Sequence, residues 1–195
     1  LDVTEGRLVI GFRFGECMED PDKAALSVFN TVYGAGVTSK LFVNVRERLQ
    51  LCYYASSSAD SHKGLLFASA GIDFDRFDEA KDEMLHQLDE IRNGNITDEE
   101  MEYAKKGICS DLKSMQDSQA AMESYTITNI LDGWMVTPEE YIELVNAVTK
   151  EDVIAVANST VCDLIYFLRG EEDAAQETAE DIKEFENNED DSCRS

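Results

Sequence analysis

Between Gly34 and Tyr54 the chain reads GAGVTSKLFVNVRERLQLCYY, and within that stretch the apolar period changes from helical to alternating. Leu41, Val45 and Leu49 fall at i, i+4 and i+8, which predicts one buried stripe on a short amphipathic helix. After Gln50 the period becomes two, so Leu51, Tyr53, Ala55 and Ser57 are expected on one face of a strand. Gly34 and Gly36 free the backbone for a tight turn before the helix, and Thr38 or Ser39 can cap it. A chain that converts a helix into a strand within a few residues must mix the two element types. The same switch brings Arg46, near the helix end, and Tyr53, early in the strand, towards one spot.

The rest of the chain fits a mixed fold. Leu8 to Phe14 reads as a buried strand. Asp20-Pro21-Asp22 opens a helix through Ala24, Ala25, Val28, Phe29 and Val32. Tyr53–Ser58 and Leu65–Phe74 read as strands joined by the turn Asp60–Gly64. Asp75 can cap a helix to Arg92 with Phe77, Ala80, Met84, Leu88 and Ile91 inward, stopped by Asn93-Gly94. Thr97-Asp98-Glu99-Glu100 is a capping box opening a helix to about Met115. Asp117 opens another, ended by Gly133, and Thr137 and Thr149 open two more. Cys162–Leu168 is the last strand. Grouped helices and a hairpin predict an α+β fold, a mainly antiparallel sheet with helices packed on one face.

Charge narrows the function. The 195 residues carry a net charge of −24. Such a surface repels phosphate backbones and anionic lipid, so neither nucleic acid nor membrane is an expected partner. No apolar run approaches the ~20 residues of a membrane span. Residues 171–195 hold eleven acids and two bases, with Ile182 and Phe185 their only large apolar side chains. They are expected to form a disordered acidic tail behind a single domain of residues 1–170. No signal peptide is expected from the residues at the start of the chain. Because the first residue is Leu1 rather than Met, the chain is expected to be a piece of a longer one, so that absence says little about the parent. Five cysteines without C-x-x-C spacing imply reduced thiols in a cytoplasmic protein. Cys17, Cys52, Cys109 and Cys162 sit in apolar segments and are expected to be buried, while Cys193 lies in the tail.

No metal or nucleophile centre is legible. His62 and His86 each lack a second His or Cys at ligand spacing, and neither a G-x-S-x-G nor a Walker loop is present. Gly34-Ala35-Gly36 reads either as a turn between helices or as the wall of a groove that a substrate backbone passes closely. Arg46 alone reads equally as a cation complementing a helix C-terminus, and Tyr53 as a half-buried strand aromatic.

The whole string resembles the second-domain signature of the pitrilysin/insulinase family of zinc peptidases: a glycine turn, Ser39-Lys40-Leu41-Phe42, Arg46-Glu47, and a Leu-x-Tyr element. Gly64-Leu65-Leu66, Gly71-Ile72, Gly94-Asn95-Ile96-Thr97-Asp98-Glu99-Glu100 with Ala104-Lys105, and Val148-Thr149-Lys150-Glu151-Asp152-Val153 continue the resemblance in order over about residues 6–170. The wording is most similar to the Gram-positive bacterial branch. Lys40 stands where many relatives have Arg, and Cys52 where many have Gly or Ala.

That family pairs homologous halves. One carries H-x-x-E-H, which holds zinc and supplies the general base, and this chain lacks the motif. The resemblance therefore implies the other half, with no cofactor of its own and zinc in the partner half, whether on the same polypeptide or a separate subunit. It implies a peptide substrate and an R-x(6)-Y pair, here Arg46 and Tyr53. Arg46, with Gly34 and Gly36, is expected to bind substrate, and Tyr53 to act catalytically, its phenol donating to a peptide carbonyl that gains negative charge. The alternative is an inactive scaffold or binding paralogue of the same fold.

Overall fold

The computed structural model describes residues 5–14, 20–61, 63–131 and 133–169. Cys17, His62, Cys193 and the expected tail from Glu171 lie outside them. Four strands, β1 (Gly6–Arg13), β2 (Tyr54–Asp60), β3 (Leu65–Ile72) and β4 (Val161–Leu168), form one sheet in the order β2-β3-β1-β4. Every pairing is antiparallel. Six α-helices accompany them: α1 (Asp20–Tyr33), α2 (Phe77–Arg92), α3 (Asp98–Gln116), α4 (Gln119–Leu131), α5 (Pro138–Ala147) and α6 (Lys150–Ser159).

The helices lie on one face, as the α+β expectation requires. Leu8, Ile10 and Phe12 of β1 and Leu66, Ala68, Ala70 and Ile72 of β3 are fully buried beneath them. Alternate residues Arg7, Arg13 and Phe67 are exposed on the opposite face. Each large apolar side chain so buried contributes about 1.5–3 kcal/mol. α1 supplies the centre of the helix layer and packs on α3, α5 and α6. Its Ala24, Ala25, Val28, Phe29 and Val32 are all buried, as their spacing predicts. Tyr33 ends α1 stacked on Phe29 at 5.9 Å between ring centres, and its hydroxyl donates to the Met84 carbonyl at 3.0 Å. Burial pushes that phenol far above its ordinary pKa.

The helix starts follow their signals. Thr97, Thr137 and Thr149 each complete a capping box, with Glu100, Glu140 and Asp152 respectively. Asn93-Gly94 closes α2, with Gly94 at φ +79. Lys105 of α3 donates to the carbonyls of Asn146 and Val148, which caps the end of α5. Arg92 of α2 does the same for α6 through Ala157 and Thr160. These contacts tie helices that are not neighbours in sequence, α3 to α5 and α2 to α6, side to end.

Several boundaries differ from expectation. Asp75 does not cap α2; it lies inside a 3₁₀ turn, Phe74–Arg76, that feeds the helix. α4 begins after Ser118, whose hydroxyl accepts from Ala121 N, rather than at Asp117. The expectation of buried cysteines is not met at the described positions. Cys52 and Cys109 are half-buried, and Cys162 is exposed because β4 is an edge strand that the helices leave uncovered.

Candidate functional site

Leu41–Arg48 is a π-helix rather than an α-helix. Leu49 N reaches back five residues to Asn44 O at 3.1 Å, and Leu51 N six residues to Val45 O at 2.9 Å. The Ser39 hydroxyl accepts from Phe42 N at 3.3 Å, so the expected cap is present. Leu41 and Val45 are fully buried, but Leu49 is 41% exposed and leaves the predicted stripe. The helix ends at Arg48, and Gln50 takes φ +52, which turns Leu49 outward before the chain re-enters the core at Leu51. π-turns are rare and concentrate at functional sites.

Tyr53 also departs from expectation. It precedes β2, and its side chain is 57% exposed instead of sharing the inner face with Ala55 and Ser57. Alternation begins only at Tyr54, where pairing with Gly71 sets the register.

Even so, Arg46 and Tyr53 meet. Arg46 Nε donates to the Tyr53 carbonyl at 2.9 Å, and its guanidinium lies 4.6 Å from the centre of the Phe42 ring. Arg46 Nη1 is 3.4 Å from Glu47. The Tyr53 hydroxyl donates to Asp73 Oδ1 at 2.5 Å. That hydrogen bond, reinforced by the Asp73 charge, raises the Tyr53 pKa and keeps the phenol protonated. Arg46, Glu47, Gln50, Leu51, Cys52, Tyr53 and Asp73 line a hollow of about 380 Å³. Burial pushes the Cys52 thiol up to about 11, against an opposing pull from Arg46.

Asp73 was not legible in the sequence. Tyr53 N donates to Gly71 O at 2.7 Å, which sets Asp73, the first residue after β3, within reach of the phenol. Only the hairpin register reveals that neighbour, and the length of the polar turn leaves the register open.

The two glycines stand apart from this hollow; neither is among the residues that line it. Gly34 is buried against β2, and Ser57 N donates to its carbonyl at 3.1 Å. A Cβ on Gly34 would sit 2.7 Å from Ser57 N and 2.6 Å from its hydroxyl oxygen. A Cβ on Gly36 would meet only a Thr31 methyl at 3.9 Å. Among the described residues no three His, Cys, Asp or Glu are grouped so as to hold a metal ion, and the donor set does not fit zinc. His86 is exposed on α2. No helix of the described residues is long and apolar enough to cross a membrane.

The geometry is that of an α+β domain carrying an Arg–Tyr corner. Comparison with known proteins matches residues 1–108 to the family described as the peptidase M16 inactive domain, and the chain belongs to that family. It is 33% identical over 174 residues to a protein of Bacillus subtilis named "Probable inactive metalloprotease YmfF", covering 89% of this chain and 41% of that one. A solved structure of a conserved protein from Enterococcus faecalis superposes with TM-score 0.81 at 33% identity, over 87% of this chain and 40% of the other. A protease from Helicobacter pylori shares the fold at TM-score 0.74 and 17% identity, over 86% of this chain and 42% of the other. The chain thus spans about two fifths of the length of these relatives.

Proposed function

We propose that this chain is the non-zinc half of a metalloendopeptidase, in which Arg46 holds substrate carbonyls and Tyr53 donates a hydrogen bond to the carbonyl under attack. The observation that supports it is the Arg46 Nε to Tyr53 carbonyl bond, which gathers both side chains at one hollow across a rare π-turn. Zinc, held by an H-x-x-E-H partner half on the same or another polypeptide, would supply the activated water. The partner must also bring its own general base.

In this chain the Tyr53 hydroxyl waits hydrogen-bonded to Asp73. Its ring is mostly exposed, so little packing resists rotation towards a substrate oxygen. That oxygen would replace Asp73 as acceptor and gain strength as negative charge develops. A phenol keeps its proton at neutral pH with or without Asp73, so one is present to donate. Arg46 keeps guanidinium donors beyond Nε for carbonyls already present in the bound peptide, which sets the register before reaction. Gly34 and Gly36 form the turn ahead of the π-helix, and Gly36, with open space around its Cα, is the one that a peptide backbone can approach. A cytoplasmic setting is consistent with unpaired thiols at Cys52, Cys109 and Cys162.

A second reading is an inactive scaffold, favoured by the name of the Bacillus subtilis relative and by the Tyr53 hydroxyl already donating to Asp73. Tyr53→Phe in the chain assembled with its zinc-bearing half separates the two. Loss of the hydroxyl should lower turnover by ~10²-fold or more with little change in ground-state peptide affinity. Arg46→Ala should weaken peptide binding as well. Turnover equal to the parent in Tyr53→Phe would remove the catalytic assignment, and a melt in which only Arg46→Ala is destabilised would favour the scaffold.

A further inference from the structure

We propose that Lys40 and Glu100 are positioning residues: their ion pair seats the π-helix so that Arg46 reaches Tyr53. The consequence for substrate rests on the peptidase reading above; the positioning itself does not.

A π-helix eight residues long is unusual, since π-turns normally occur singly inside α-helices. Something outside Leu41–Arg48 must hold it. On one side Asn44 donates to Gln87 Oε1 at 2.8 Å, and Gln87 donates to Glu83 at 2.7 Å, which ties the helix to α2. On the other, Lys40, the residue just before the π-helix, places Nζ 2.9 Å from Glu100 Oε1 at the start of α3. The two side chains are 8% and 23% exposed, the most enclosed of the ion pairs among the described residues.

Glu100 is also the acceptor of the Thr97 capping box. Its Oε2 takes hydrogen bonds from Thr97 N at 2.7 Å and from the Thr97 hydroxyl at 3.1 Å. The carboxylate is therefore fixed by its own helix before it meets Lys40. The boxes at Thr137 and Thr149 have the same design, and among the described residues the hydrogen bonds of their carboxylates, Glu140 and Asp152, stay within the local cap. Asp152 also feels the charge of Lys105 on α3. Among the described residues, the box at α3 is the one whose carboxylate makes a direct ion pair with a lysine of another element, at 2.9 Å.

A buried ion pair is weak evidence of stability, because an apolar pair of similar volume often does as well. What the pair adds is direction, since one ammonium must meet one immobilised oxygen. Lys40 is thereby pinned while Leu41 and Val45 fill the core beneath, and the turn that follows carries Arg46 to the Tyr53 carbonyl.

The test needs neither substrate nor partner. It reads solvent exchange of the Arg46 Nε–H by NMR of the whole chain labelled with ¹⁵N-arginine. In the parent chain that proton should exchange slowly. Lys40→Met and Glu100→Gln, the latter keeping a glutamine able to serve the capping box, should each speed it by ~10-fold or more, the scale of one charge-assisted hydrogen bond. Lys40→Arg should restore it. Lys105→Met, which uncaps α5, should lower the melting temperature and leave Arg46 Nε–H slow.

Slow exchange in folded Lys40→Met and Glu100→Gln overturns the proposal, as does fast exchange in the parent. Equal acceleration in Lys105→Met overturns it too, by reducing the effect to general loosening. If Lys40→Met cannot fold, Glu100→Gln is read alone. If neither folds, nor the double variant, the pair is a folding determinant and the proposal fails. In an assembled peptidase Lys40→Met should raise KM with kcat little changed. A peptidase that proves inactive would sink the function and leave the exchange result standing.

Discussion

The two edges of the sheet are built differently. β2 is closed: Ser57 N bonds the Gly34 carbonyl, and the Ser57 hydroxyl donates to Asn30 Oδ1 at 2.7 Å. The glycine turn plugs the edge, and the Arg46–Tyr53 corner hangs from the start of the same strand. β4 at the other edge has no strand beyond it among the described residues and exposes Val161, Leu164, Tyr166 and Leu168. An unpaired apolar edge is a feature that isolated proteins usually suppress, by charge, by proline or by a covering loop. Here one edge has its covering loop and the other has nothing described over it. The closed edge gives the candidate site a rigid base, because backbone contacts at Gly34 leave β2 no freedom to slide.

The largest effect should come at the closed edge. Gly34→Ala drives a Cβ into the Ser57 backbone nitrogen, which cannot yield as a flexible side chain would. A loss of about 1–3 kcal/mol is expected in chemical denaturation of the chain. Gly36→Ala, two residues on, meets only ordinary contact and should change stability by a few tenths of a kcal/mol. This pair also divides the roles of the glycines. If Gly36 borders a passing substrate backbone, Gly36→Ala should weaken peptide binding in the assembled enzyme without touching the melt. Equal denaturation midpoints for Gly34→Ala and the parent would show that the edge is not locked as described.

The open edge should respond far less. Leu164→Ser and Tyr166→Ser lie at positions 59% and 51% exposed. Each should fall within about 0.5 kcal/mol of the parent in the isolated chain. A loss comparable to that of Gly34→Ala would mean that β4 is as firmly held as β2, and the contrast would collapse.

These differences mark what the sequence can carry. The capping box at Thr97 and the helix starts at Thr137 and Thr149 were legible because each is a local chemical signal with fixed spacing. The buried stripe of α1 and the antiparallel hairpin followed from periodicity alone. The π-pitch of Leu41–Arg48 did not, because Leu41 and Val45 at i and i+4 satisfy an α-helix equally well. Alternation places Tyr53 on one face with Leu51, Ala55 and Ser57; in the structure those three are buried and Tyr53 alone is not, because it lies ahead of β2, where regular pairing begins. Asp73 and the Lys40–Glu100 pair are contacts between segments far apart in sequence, so no local pattern announces them. The convergence of Arg46 and Tyr53 was legible, and its bonding was not.

The smallest effect concerns two thiols that stand at the two edges. Cys52 lines the hollow at the closed edge, while Cys162 is exposed on β4. Thiolate, not thiol, reacts with iodoacetamide. With its pKa pushed up to about 11 by burial, Cys52 should be about one part in a thousand thiolate at pH 8. Cys162 should therefore be alkylated well before Cys52, as read by mass spectrometry of the two peptides. The folded pKa lies above the unfolded value, so the neutral Cys52 thiol supports the fold fully below that value and loses its contribution as pH rises through about 11. Arg46 opposes the shift, so Arg46→Ala should move the Cys52 midpoint still higher. The same substitution opens the hollow, which by itself would speed labelling at every pH. A pH series separates the two, because access scales the rate uniformly and charge displaces the midpoint. A Cys52 midpoint unchanged in Arg46→Ala would mean that the guanidinium does not face the hollow in solution, and the corner would lose its electrostatic link between helix and strand.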